Sequence, residues 1–154
     1  MCTPIVKRLS GTGVAAMRDA LEVYSRAFDE PQNYLQNQPS DEYLRDLLIK
    51  PDFIQLVASY GGQIVGALTA YVLCKFEQAR SEIYIYDLAV DAEHRRRGIA
   101  TALIEALHPI AHEVGAWTIF VQADQGDEPP IALYTKLGER EDVLHFDIAP
   151  SHRL

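Results

Sequence analysis

Cysteine is nearly absent. Cys2 and Cys74 are the only two in 154 residues, too few for a disulfide framework or a thiolate zinc site. Positive charge is in deficit as well. Lys and Arg number 14 against 22 Asp and Glu, giving a net charge of −8 and a pI near 5.0. That balance argues against a nucleic-acid module, whose affinity comes largely from Lys and Arg on phosphates, and suits a cationic partner. No stretch approaches the ~18 uninterrupted apolar residues of a membrane span. Lys7 and Arg8 break the only early apolar run, so no signal peptide is expected and a cytoplasmic compartment is the default. Internal repeats, low-complexity tracts and Gly/Ser linkers are also missing, so residues 1–154 read as a single domain. Hydrophobic residues make up 48% of the chain and charged ones 23%, which suffices for a core without staples.

Periodicity divides the chain into ten elements. Residues 3–9 read as a short strand, and 14–28 as a helix with Val14, Met17, Leu21, Tyr24 and Phe28 on one face. The turn-rich stretch 29–41 follows, then a second helix over 41–50 with Ser40 as N-cap. Residues 52–60 and 63–74 form a strand pair joined by Gly61-Gly62, a two-residue turn in which both positions tolerate positive φ. Further elements are a strand over 82–90, a helix from Gly98 to Val114 ended by Gly115, a strand over 116–122, a helix over 128–137 and a last strand over 141–148. The order implies an α/β chain with a mixed sheet of six strands flanked by four helices.

The strand EIYIYDLAV leads through DAEHRRRG into an amphipathic helix. A helix N-terminus exposes unpaired N–H groups that suit a diphosphate, and Gly98 allows close backbone approach. Arg95, Arg96 and Arg97 can add charge-assisted bonds. A solvated basic turn is the plain alternative on composition alone. Asp87 is the other informative residue. It interrupts a strand that is otherwise apolar on both faces, where a carboxylate is costly unless paired or functional. Partial burial would raise its pKa and make it a better proton acceptor near neutral pH; a structural role at a bulge is the competing reading.

Residues Arg95 to Ala100 (RRRGIA) match the (Q/R)-x-x-G-x-(G/A) acyl-CoA signature, with LAV just upstream. Ala132 to Gly138 (ALYTKLG) resembles the A-x-x-Y-x-K-x-G helix of the same group, matching its Y-x-K-x-G end at Tyr134, Lys136 and Gly138 with the alanine one position nearer. The chain therefore resembles the GCN5-related N-acetyltransferases (GNAT). The runs KFEQARSEIYIYDLAV, QADQGDEPPIALYTKLG and VLHFDIAPS are similar to the type I aminoglycoside 3-N-acetyltransferases.

The resemblance implies a GNAT fold with a mixed, mostly antiparallel sheet, and acetyl-CoA as cosubstrate without metal. It further implies a homodimer and an antibiotic-resistance activity on the 3-amino group of an aminoglycoside, by direct attack in a ternary complex. Asp87 is the expected base or substrate anchor, and Tyr134 the expected proton donor to the departing thiolate. A strand bulge at Leu88, Ala89 and Val90 would free N–H groups for the oxyanion and pantetheine. Arg95, Arg96, Arg97, Gly98, Ile99, Ala100 and Thr101 would hold the diphosphate.

Residues 121–154 carry seven acids against three basic residues, and Glu82, Asp124 and Asp142 join Asp87 as expected anchors for a polycation. Asp127 is also available as an N-cap before Pro129. Many family members carry an Asn near the end of the strand that here runs into Gln122 and Asp124, which leaves that role open. A GNAT acting on another polyamine or peptide amine, or an idle acyl-CoA sensor, are the alternatives. Gly11-Thr12-Gly13-Val14-Ala15-Ala16 mimics a dinucleotide fingerprint but lacks the second strand it needs. His108 and His112 lack a third metal ligand.

Overall fold

Five strands hydrogen-bond in chain order in the computed structural model, which describes residues 3–151. The chain divides into two units, Met1–Gln122 and Ala123–Leu154. The first holds β1 (Ile5–Arg8), α1 (Val14–Phe28), α2 (Pro31–Tyr34), α3 (Asp41–Leu48), β2 (Phe53–Tyr60) and β3 (Gln63–Cys74). It continues through β4 (Ser81–Val90), α4 (Ile99–Glu105), α5 (Leu107–Glu113) and β5 (Ala116–Val121). The second unit holds α6 (Glu128–Leu137). Strands β1 to β4 pair antiparallel, and β5 runs parallel to β4. The helical crossover between β4 and β5 imposes that switch, since a parallel neighbour cannot be reached by a tight turn.

Local signals account for most boundaries. Gly61 and Gly62 turn the β2–β3 hairpin at φ 61° and 82°, and Ser40 Oγ accepts the Tyr43 N–H at the start of α3. Three expectations need correction. The helix over 98–114 is two helices, α4 and α5. Pro109 has no N–H for the Glu105 carbonyl and crowds it, so the hydrogen-bond ladder breaks at Ala106. Within 29–41, Pro31 nucleates the short helix α2. Residues 141–148 form no strand, leaving five rather than six. Their apolar residues alternate as a strand's do, but a strand also needs a ladder partner, and none pairs with them among the described residues.

Each sheet face has its own cover. Helix α1 packs on β2, β3 and β4, and α3 on β2. Leu9, Met17, Ala20, Val23, Tyr24, Leu44, Leu48, Phe53, Val57, Ala67 and Ala89 form the core of that side. On the other face α4 packs on β2, β3 and β4, and α5 on β5. Gly66 of β3 makes the first contact possible: a Cβ there would lie 3.0 Å from Ile99 Cγ2 and 3.3 Å from Leu103 Cδ1.

One irregularity in β4 positions the site. Thr69 faces Asp87 while the next residue of β3, Ala70, faces Ile85. Tyr86 is therefore an extra residue without a partner, a bulge that reverses the inward–outward alternation. Ile83 and Ile85 are buried on the α4–α5 face. Beyond the bulge Asp87 and Ala89 lie on the α1 face, Ala89 within its core. In an unbulged strand Asp87 would share the face of Ile83 and Ile85.

Candidate active site

Strand β4 is paired on both sides only from Ser81 to Ile85; beyond that it keeps β3 but no β5 partner. The expected bulge at Leu88–Val90 lies instead at Tyr86, and Leu88, Ala89 and Val90 are in regular register with Leu68, Ala67 and Gly66. Free N–H groups arise for another reason. The Asp91 N–H donates to Val65 O at 2.8 Å. By antiparallel alternation Ala89 is then bonded to Ala67, and Leu88 and Val90 turn their backbone groups away from β3. The open edge thus offers two N–H groups, those of Leu88 and Val90, while the Ala89 N–H is committed to the sheet. The Val90 carbonyl on that edge accepts Arg95 Nε at 3.2 Å.

Asp87 is partly buried, and Tyr34 Oη of α2 donates to its Oδ2 at 2.9 Å. Burial pushes the carboxyl above the usual range; the Tyr34 hydrogen bond opposes that shift and the Glu30 carboxylate adds to it. Burial and the same hydrogen bond drive the Tyr34 phenol far up, so it stays a protonated donor. Behind them Tyr24, fully buried, shares a hydrogen bond with Thr69 Oγ1 at 2.8 Å, and Gln55 Nε2 donates to its Oη at 3.3 Å. Aromatic rings continue across this face: Tyr71 meets Tyr86 edge-on at 5.9 Å, and Tyr84 stacks on Phe120 at 4.7 Å. Sequence reasoning missed Tyr34. It lies 53 residues before Asp87 in a stretch without periodicity, and nothing local marks it.

At the end of β4, Arg26 of α1 grips Asp91 with Nε and Nη2 at 3.1 and 3.0 Å, anchoring the turn that follows. Arg96 and Gly98 both take left-handed conformations, at φ 61° and 76°. A Cβ on Gly98 would meet open space, so conformation rather than crowding calls for glycine there. Arg97 lies over the Tyr60 ring at 5.4 Å. The first helical hydrogen bond runs from the Ala102 N–H to Gly98 O. The N–H groups from Arg96 to Thr101 have no protein acceptor among the described residues, and no carboxylate pairs with Arg95, Arg96 or Arg97 there. Free donors and unneutralised cations in one turn make a fitting cradle for a diphosphate.

The remaining expected residues are more engaged than their types suggest. Glu82 is held by Lys75 Nζ at 3.4 Å and accepts Trp117 Nε1 at 3.2 Å. Gln122 Oε1 accepts the Tyr84 hydroxyl at 3.0 Å. In the second unit Asp142 pairs with Arg140 at 2.8 Å, whereas Asp124 is exposed with no side-chain partner among the described residues. Asp127 occupies the N-cap of α6, the expected position, but makes no side-chain capping bond there. Tyr134 sits midway along α6, and burial, helped by Asp127, pushes its phenol up to about 12.

The Acetyltransferase (GNAT) family profile matches residues 16–138. The chain belongs to the GNAT family. Its five-stranded mixed sheet with flanking helices is the GNAT fold. An aminoglycoside acetyltransferase from an uncultured soil metagenomic sample is 54% identical, with 97% of this chain and 99% of that one covered and a TM-score of 0.94. A second such enzyme, also from an uncultured soil metagenomic sample and solved in complex with sisomicin, is 31% identical over 96% and 97% of the two chains at a TM-score of 0.87. Among curated relatives, the catalytic subunit of the N-terminal acetyltransferase A complex of Arabidopsis thaliana is 35% identical over 109 residues, 69% of this chain and 53% of the relative. The chain spans about half the length of the curated relatives it matches. No helix among the described residues is long and apolar enough to cross a membrane.

Proposed function

We propose that the chain transfers an acetyl group from acetyl-CoA to the 3-amino group of an aminoglycoside, by direct attack in a ternary complex. One observation carries the reading: a half-buried carboxylate and two outward N–H groups share an open strand edge that runs into an anion-binding turn. Acetyl-CoA, when bound, supplies the activated acyl group. Arg95, Arg96, Arg97 and the N–H groups from Gly98 to Thr101 would hold its diphosphate. Leu88 and Val90 would donate to the acyl oxygen, where negative charge develops. Asp87 accepts the proton of the attacking amine, and its raised pKa suits that task near neutrality. Tyr134, a protonated phenol at working pH, supplies a proton to the leaving sulfur.

Likeness to two aminoglycoside acetyltransferases, one in complex with sisomicin, supports a polycationic sugar substrate. Asp124 is the acidic anchor free to receive an ammonium among the described residues, because Glu82 and Asp142 already hold cations. Single-domain organisation, a cytoplasmic location and a resistance role belong to the same reading. So does a homodimer, supported by exposed Val143, Leu144, Phe146 and Ile148 in the second unit, since contiguous exposed apolar residues mark interaction surfaces.

Thiol release from acetyl-CoA on a panel of amines is the test. Aminoglycosides are expected to be turned over in preference to spermidine or an N-terminal peptide, and NMR of the product should show acetylation at the 3-amino group. Preference for the peptide would overturn the substrate. Tyr134→Phe is expected to lower kcat about tenfold or more while acetyl-CoA affinity by calorimetry stays within about twofold; a loss confined to affinity counts against the proton-donor role.

A further inference from the structure

The Asp87 carboxylate has one engaged oxygen and one free one. Oδ2 accepts the Tyr34 hydroxyl at 2.9 Å, while Oδ1 makes no hydrogen bond among the described residues. Tyr34 is itself held on several sides. Its ring packs on Tyr24 at 5.6 Å and on Phe28 at 5.9 Å, both on α1. Its backbone carbonyl accepts Gln38 Nε2 at 3.1 Å, and Gln38 Oε1 in turn accepts Arg18 of α1. The Tyr24 ring against which it leans is pinned by Thr69, the residue directly opposite Asp87 across the ladder. The Tyr34 ring is thus held by α1 and the Asp87 carboxylate by β4, and the Tyr24–Thr69 hydrogen bond ties the two supports together.

We propose that Tyr34 is the positioning residue for Asp87: its hydroxyl clamps Oδ2 and leaves Oδ1 as the one oxygen available to take the proton of the incoming amine. The inference rests on the proposed transfer reaction and adds to it the group that aims and tunes the base. The titratable groups facing Asp87 are Tyr34 on α2, Glu30 at the N-cap of α2, Tyr24 on α1, Tyr71 on β3 and Tyr84 on β4. Tyr34 is the hydrogen-bond donor among them, and Glu30 is the charge. Removing the hydroxyl leaves burial and Glu30 acting together against the carboxylate, so Asp87 must then titrate at higher pH.

Tyr34→Phe keeps the ring and its stacking while deleting the donor. The acid limb of the kcat/KM profile is expected to move up by about one pH unit, with the rate loss reaching about tenfold on that limb and KM for acetyl-CoA unchanged. Carbon-13 NMR of the Asp87 side-chain carboxyl, read without any substrate, should show the same upward displacement. An equal loss of rate at every pH with an unmoved carboxyl titration would overturn the proposal, as would a variant identical to the parent. The NMR arm separates the two readings. A displaced titration in a protein that acetylates nothing keeps the clamp and removes the reaction, whereas turnover with an unmoved titration does the reverse. Thermal melting of the variant within a few degrees of the parent confirms that packing is retained.

Discussion

Asp87 carries charge where its surroundings disfavour it. A folded-state pKa above the unfolded value means that the native chain binds the proton more tightly, so its contribution to stability falls as pH rises through the folded pKa and is a penalty at neutral pH. Asp87→Asn removes the charge and keeps an oxygen for the Tyr34 hydroxyl. Calorimetry at pH 7 should show an unchanged or higher Tm, while kcat falls by well over about tenfold. A lower Tm with unchanged turnover would make Asp87 a structural residue. This carboxylate was legible in the sequence because a lone acid among apolar strand residues is conspicuous. Its partner was not, because Tyr34 lies 53 positions away in the chain and meets Asp87 only once the segment between them has folded.

The bulge at Tyr86 is the element-scale decision. Deleting Tyr86 removes the extra residue and sets Asp87 directly after Ile85, so regular alternation keeps it opposite Thr69 on the α1 face. Turnover should stay within about tenfold of the parent, with far-UV circular dichroism preserved; a loss of about a hundredfold or more would give the Tyr86 side chain a role of its own. Alternation marked β4 as a strand, and a run of residues carries no sign of which one its neighbour will skip. The break between α4 and α5 was legible in principle from Pro109, and the amphipathic pattern on either side hid it. The apparent last strand over 141–148 failed for the opposite reason: its pattern is local, and its partner had to be supplied from elsewhere.

At the scale of the whole molecule, the charge of −8 sets an attractive field for a polycation. The kcat/KM for an aminoglycoside should fall several-fold between about 20 and about 300 mM salt, where the screening length shrinks from about 20 to about 6 Å. A flat profile would assign recognition to uncharged contacts, such as the tyrosines of β3 and β4. Sedimentation at micromolar concentration should return the mass of two chains, and Phe146→Asp should shift it toward one. A parent that sediments as one chain removes the dimer from the functional reading.

What the amino-acid order determined by itself was local: which segments extend or coil, that Gly98 can turn left-handed before a helix, that three cations precede it, and that an acid interrupts β4. Each follows from backbone sterics and side-chain chemistry within a few residues. Only the tertiary structure decided which face Asp87 occupies, which N–H groups of β4 point outward, and that Tyr34 holds the carboxylate. Those are properties of pairs of elements. Register is counted between two strands, an open edge exists only where a neighbour ends, and a hydrogen bond needs both of its ends delivered to one place.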